Sequence, residues 1–183
     1  SFLPPFCYGF LEATLNGNFP VFALRIGIDV HAVAIILPAF AIGSILFQLP
    51  LGMMSDYFGR KKVLIIVLFL GSCLFVIANF QQSVIGLSIC FLLAGMALGS
   101  TYSLGITYMA DLLPRSYLPA GNIMISIFFS IGSIIGPFIG GVAIEYLQSY
   151  YFLLISTILF AIFLAVALFK PKGKMEIEMR SIS

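Results

Sequence analysis

Long apolar runs alternate with short polar breaks along the whole chain. A membrane-spanning helix needs ~20 mostly apolar residues. Six stretches reach that length: roughly Leu3–Leu24, Ala32–Met54, Val63–Phe80, Val84–Ala110, Leu118–Leu147 and Phe152–Phe169. The breaks between them are Arg25–His31, Ser55–Lys62, Gln81–Ser83, Asp111–Tyr117 and Gln148–Tyr151, none long enough to separate two domains. The pattern predicts an all-α membrane protein, a single bundle of six transmembrane helices. A transmembrane β-barrel would need alternating segments of ~10 residues, and none occur.

Composition agrees. The chain is 61% hydrophobic and 9% charged, with mean hydropathy +1.15, whereas soluble domains carry about 25% charged residues. No basic stripe interrupts the apolar runs, which excludes nucleic-acid binding. Cys7, Cys73 and Cys90 all fall inside apolar segments, an odd set without metal-ligand spacing. They read as inert core residues, and no metal or cofactor is expected. His31 reads as a solvated loop residue, with only Asp29 near it. The opening Ser-Phe-Leu-Pro-Pro has no basic region followed by a cleavage site, so no signal peptide is expected.

The basic residues set the orientation. Arg60, Lys61 and Lys62 lie between spans 2 and 3, and Arg115 between spans 4 and 5; Lys170, Lys172, Lys174 and Arg180 follow span 6. With six spans these regions share one face of the membrane, and Arg25 alone lies on the other. The positive-inside rule makes the basic face cytoplasmic, with both termini inside.

Spans 2 and 5 repeat one another. Phe40–Leu46 aligns without a gap on Phe129–Ile135 at an offset of 89 positions, and the register continues through Gly52 with Gly141 to Asp56 against Glu145. Three spans per copy require the copies to insert with opposite topology, a design recurrent among transporters. The expected organisation is a 3+3 inverted repeat: one copy over about 1–82, the other over about 83–170, and a cytoplasmic tail over 171–183.

The segment Gly52–Lys62 resembles the major facilitator superfamily signature between the second and third helices of a half. It matches at Gly52, Asp56, Gly59, Arg60 and Lys61, and departs at Tyr57, where a basic residue is usual. The resemblance implies that the chain is one six-helix half of such a transporter. Asp56 sits at a helix C-terminus, where the helix dipole disfavours an anion, and Gly59 permits a tight turn. Asp111, at the same face, is the natural partner of Arg60. Asp56, Arg60 and Asp111 are therefore expected to form a latch steadying one access state; the alternative is that Arg60, Lys61 and Lys62 only set topology. On span 5, Gly132, Gly136, Pro137, Gly140 and Gly141 resemble a motif of drug–proton antiporters, without its usual upstream glycine. These glycines permit close helix approach. An Arg common near the start of span 4 in such antiporters is absent, with Phe91 and its neighbours in its place. That absence and the charged tail favour the C-terminal half.

Polar groups inside a span point to function, because they are costly unless they face a cavity or a partner. Tyr8, Glu12 and Asn16 recur every four residues and share one face of span 1. Ser100, Ser103, Thr107 and Asp111 form a stripe on span 4. Glu12, the one carboxylate deep within a span, is the candidate proton- or cation-binding group, with Tyr8, Asn16, Ser103 and Thr107 shaping a substrate site. The expected function is a secondary active transporter working by alternating access, not an enzyme, with proton-coupled efflux of small molecules or drugs. A sugar or metabolite permease of the same superfamily, and a non-transporting receptor or assembly subunit, are the alternatives. The expected partners are the bilayer, a small-molecule substrate, and either another transporter half or a second copy of this chain as a homodimer.

Overall fold

The computed structural model describes residues 2–81, 83–146 and 150–168. Its helices are α1 (Leu3–Arg25), α2 (Val30–Phe58), α3 (Arg60–Asn79), α4 (Val84–Leu98), α5 (Thr101–Leu112), α6 (Leu118–Tyr146) and α7 (Tyr151–Leu168), with a 3₁₀ turn at Arg115–Tyr117. Every predicted span is helical, and no strand occurs among the described residues. The ends expected at Leu147 and Phe169, and the basic residues from Lys170 to Arg180, lie outside the described residues.

Two features depart from six uniform rods. Span 4 is divided into α4 and α5 at Gly99 and Ser100. Both keep near-helical dihedrals, −57° and −30° at Gly99 and −87° and −1° at Ser100, so the break is a bend rather than a loop. A Gly-Ser pair followed by Thr is a weak helix former and a common kink point. The second departure is α1. Among the described residues, five spans are long and apolar enough to cross a membrane by composition, with Val84–Leu112 counted as one, and α1 is not among them. Its 23 residues would cover ~35 Å, more than the ~30 Å hydrocarbon core. Glu12, Thr14, Asn16 and Asn18 dilute its hydropathy.

The helix ends follow local chemistry. Asp29 caps α2 by accepting from the Val30 amide at 2.8 Å, and Ser83 caps α4 through the Gly86 amide at 3.0 Å. Gly59, at φ 95°, makes the turn between α2 and α3 that an L side chain would strain. Pro114 closes α5 because it has no amide to continue the ladder.

Helices pack in three main pairs: α1 with α6, α2 with α4, and α3 with α7. In lipid, burying apolar surface gives little reason for two helices to meet, so close packing and interhelical hydrogen bonds decide. Glycine makes the first two crossings possible. A Cβ on Gly43 would overlap the Leu92 carbonyl oxygen, and one on Gly95 the Phe40 carbonyl oxygen. Across the other crossing, Gly132 meets the Phe6 carbonyl oxygen and Gly9 that of Phe129 in the same way. The third pair is tied by hydroxyls. Ser72 Oγ donates to the Ser156 carbonyl at 3.0 Å, and Ser156 Oγ returns a bond to the Ser72 carbonyl at 2.9 Å. Phe19, Phe22, Phe75, Phe91, Tyr151 and Phe152 fill the junction of these pairs. The buried Tyr151 hydroxyl donates to the Thr14 carbonyl at 3.0 Å.

Candidate transport site and charge clusters

The turn at Gly59 starts α3 with Arg60 and aims its side chain across α2 at α5. One guanidinium nitrogen donates to Asp111 Oδ1 at 2.8 Å and to the Thr107 carbonyl at 2.7 Å; the other reaches Asp56 Oδ1 at 3.2 Å. The three expected latch residues are therefore in contact. Arg60 is 25% exposed and the two carboxylates more than half, so each pair on its own is worth about 0.2–1 kcal/mol. The shared geometry joins the ends of α2, α3 and α5 at one point. Lys61 turns the other way and donates to the Ala167 carbonyl on α7 at 3.3 Å.

Above Arg60 a polar cleft of about 120 Å³ separates α2 from α5, lined by Gln48, Asp56, Ser100, Ser103 and Thr107 among others. Gln48, Gly52 and Asp56 recur every four residues on α2, opposite the hydroxyl stripe of α5. Thr107 Oγ1 bonds back to the Ser103 and Leu104 carbonyls at 3.1 Å. Ser103 and Thr107 thus share a cleft with two of the latch residues. Gln48, which completes that cleft, was not singled out by sequence, although it lies one turn before Gly52.

On α1, Tyr8 and Glu12 are half-buried and Asn16 is exposed. Tyr8 meets two rings from other helices: Tyr102 of α5 at 6.2 Å between centroids and Phe129 of α6 at 6.3 Å, with Tyr102 and Phe129 5.3 Å apart. Three spans thus contribute an aromatic cluster one helical turn from Glu12. Tyr102 and Phe129 were missed in the sequence because apolar and aromatic neighbours surround both. Among the described residues, no group of three or more His, Cys, Asp or Glu could hold a metal.

The motif on α6 resolves residue by residue. Gly132 and Gly136 lie against α1 backbone, and Gly140 leaves room for Asn18, whose amide donates to the Pro137 carbonyl at 2.8 Å. Gly141 faces open space. At the far end of this crossing Arg25 pairs with Glu145 at 3.2 Å and donates to the Ile144 carbonyl at 3.2 Å. Sequence reasoning had Glu145 only as the counterpart of Asp56; that it meets Arg25 follows from the α1–α6 crossing.

Comparison with known proteins places this architecture. The pattern of the Major Facilitator Superfamily matches residues 3–178. The MFS-type transporter YfkF of Bacillus subtilis is 52% identical over 186 residues, covering 100% of this chain and 47% of that protein. The MFS-type transporter MJ1560 of Methanocaldococcus jannaschii is 25% identical over 122 residues, 67% of this chain and 32% of that protein. The chain spans about half the length or less of the curated relatives it matches. Its family transports solutes across membranes rather than converting them chemically. With a bundle of apolar helices, a signature turn whose charges are engaged, and a match over nearly its whole length, the chain belongs to the major facilitator superfamily.

Proposed function

We propose that this chain supplies one half of a secondary transporter that works by alternating access and exports small apolar or aromatic compounds in exchange for protons. The observation that carries this reading is Glu12, half-buried midway along α1, one turn from the Tyr8–Tyr102–Phe129 cluster. A carboxylate at that depth costs about 3 kcal/mol to insert when charged. As the carboxylate midway along α1, Glu12 is the proposed site of proton coupling. The aromatic rings beside it suit flat apolar compounds better than sugars. In the complete transporter reconstituted in liposomes, Glu12→Gln is expected to abolish substrate movement driven by a proton gradient while leaving substrate exchange at equilibrium. Gradient-driven flux at the wild-type rate in the variant refutes this role.

The remaining half, or a second copy of the chain, is proposed to cover α2 and α6. These are the least internally buried of the spans, at 28% and 22% of their most apolar windows. On α6 the exposed Asn122, Ser126 and Ser130 form a polar stripe, which is more costly against lipid than against protein or a watery cavity. The proposed inverted repeat draws support from three pairs of equivalent contacts. Gly43 on Leu92 matches Gly132 on Phe6, Gly95 on Phe40 matches Gly9 on Phe129, and Ser72 and Ser156 exchange bonds reciprocally. The proposed orientation puts the Arg60 end in the cytoplasm, and the chain is read as the C-terminal half of its transporter.

A further inference from the structure

A groove of about 380 Å³ runs along the outside of the bundle between α2, α3 and α4, and its lining is almost wholly apolar. Phe47, Leu51 and Met54 form the α2 wall, and Ile66, Leu70 and Leu74 the α3 wall. The α3 residues recur every four positions, so they lie on one stripe, and the next position on that stripe toward the helix start is Lys62. From Lys62 to Leu74 the stripe runs ~18 Å at 1.5 Å per residue. That is close to the depth of a single leaflet in a hydrocarbon core ~30 Å thick.

The mouth of the groove has the chemistry of a headgroup region. Tyr57 and Phe58, both exposed, follow Met54 of the α2 wall by three and four residues, with ring centroids 4.9 Å apart, and amphipathic aromatics such as tyrosine favour the membrane–water boundary. The three consecutive basic residues point three ways. Arg60 is held by Asp56 and Asp111, Lys61 reaches the last turn of α7, and the exposed Lys62 lies about one helical turn before Ile66 of the groove wall. The start of α3 adds the positive end of a helix dipole, with no side chain capping it from Gly59. Below the mouth the walls are apolar, and in a membrane the medium that reaches them is lipid.

We propose that this groove seats one acyl chain of an anionic phospholipid, with the lipid phosphate held at Lys62. The inference needs only that the chain spans a membrane and is independent of Glu12 and of proton coupling. The test uses the complete transporter in neutral detergent, comparing thermal unfolding with phosphatidylglycerol, with phosphatidylcholine of the same acyl chains, and with glycerol 3-phosphate. Phosphatidylglycerol is expected to raise the unfolding temperature more than phosphatidylcholine, and glycerol 3-phosphate to leave it unchanged. Lys62→Ala should weaken phosphatidylglycerol binding about fivefold, the effect of one basic residue at an anionic surface, and Lys62→Arg should restore it. Leu70→Trp, which fills the groove from a half-exposed position, should weaken both lipids. Equal effects of the two lipids, or an unchanged response in Lys62→Ala, overturns the headgroup assignment. A full response to glycerol 3-phosphate means a free-phosphate site, and an unchanged response in Leu70→Trp puts the acyl chain elsewhere; either result also overturns the proposal.

Discussion

Gly132 and Gly141 belong to one motif on one helix, yet alanine at the two positions should have opposite consequences. A Cβ on Gly132 would overlap the Phe6 carbonyl oxygen and come within 2.9 Å of the Phe10 amide nitrogen, both backbone atoms of α1. No side-chain rotation can relieve that contact, so α1 and α6 must move apart. Overpacking of this kind costs about 1–3 kcal/mol. Alanine recovers at most about 1 kcal/mol in helix propensity, and less in a membrane, where the unassembled segment is already helical. Gly132→Ala should therefore destabilise the bundle by about 1–2 kcal/mol on these magnitudes. A Cβ on Gly141 meets nothing within 4 Å, and Gly141→Ala should be neutral or stabilising by up to about 1 kcal/mol. Gly121 is an informative intermediate, because its Cβ would meet the Met109 sulfur and a Leu113 methyl, which can move aside. Chemical unfolding of this chain in detergent, monitored by helix content and by tyrosine fluorescence, ranks the three variants. Equal stability of Gly132→Ala and Gly141→Ala refutes the reading that backbone contact at the α1–α6 crossing is what requires glycine.

Two further outcomes follow from the interhelical bonds. Ser72→Ala removes one side of the reciprocal serine pair and should cost about 0.6–1.7 kcal/mol, the range of such bonds inside membranes; the double variant with Ser156→Ala should cost less than the sum of the singles, which a double-mutant cycle measures. Arg25→Ala should cost no more than about 1 kcal/mol for the exposed pair with Glu145, and that part of the effect should shrink across a sodium chloride series, leaving what the bond to the Ile144 carbonyl contributes.

The fold was legible because lipid imposes one rule on every span: apolar over ~20 residues, with charges pushed to the ends. That rule placed a helix at every predicted span, and five of those helices among the described residues are apolar enough to cross a membrane; α1 is long enough but is diluted by Glu12, Asn16 and Asn18. It was blind to the break at Gly99–Ser100, since a Gly-Ser pair lowers helix propensity without changing hydropathy. The charged triad was legible because the signature fixes Asp56 and Arg60 at a turn that brings them near the end of span 4. Tyr102 and Phe129 were not, because an aromatic residue in an apolar run has the same appearance whether it packs in the core or faces a cavity. Gln48 and Arg25 were hidden for another reason: each gains its role from a helix distant in sequence, and only the cleft shared by α2 and α5, or the crossing of α1 with α6, reveals it.

Arg60 carries two separable properties, a positive charge beside the membrane and a planar fork that spans three acceptors. Either could explain why an arginine stands there. Topology needs only the charge, which Lys61 and Lys62 duplicate. The contacts at 2.7, 2.8 and 3.2 Å to Thr107, Asp111 and Asp56 use two different guanidinium nitrogens, and a lysine ammonium has a single nitrogen with which to reach them. Arg60→Lys therefore keeps the charge at this position and removes the bridge between α2 and α5, whereas Arg60→Ala removes the charge as well, leaving the topological signal to Lys61 and Lys62. In the complete transporter, both variants should keep the same sidedness of the Arg60 loop, read by labelling an introduced cysteine from either side. If the proposed latch operates, both should also slow transport by a similar factor, because its bridge is lost in each. Wild-type transport in Arg60→Lys together with loss in Arg60→Ala would show that charge alone matters and that the bridge is incidental. Wild-type transport in both would remove any role for the latch.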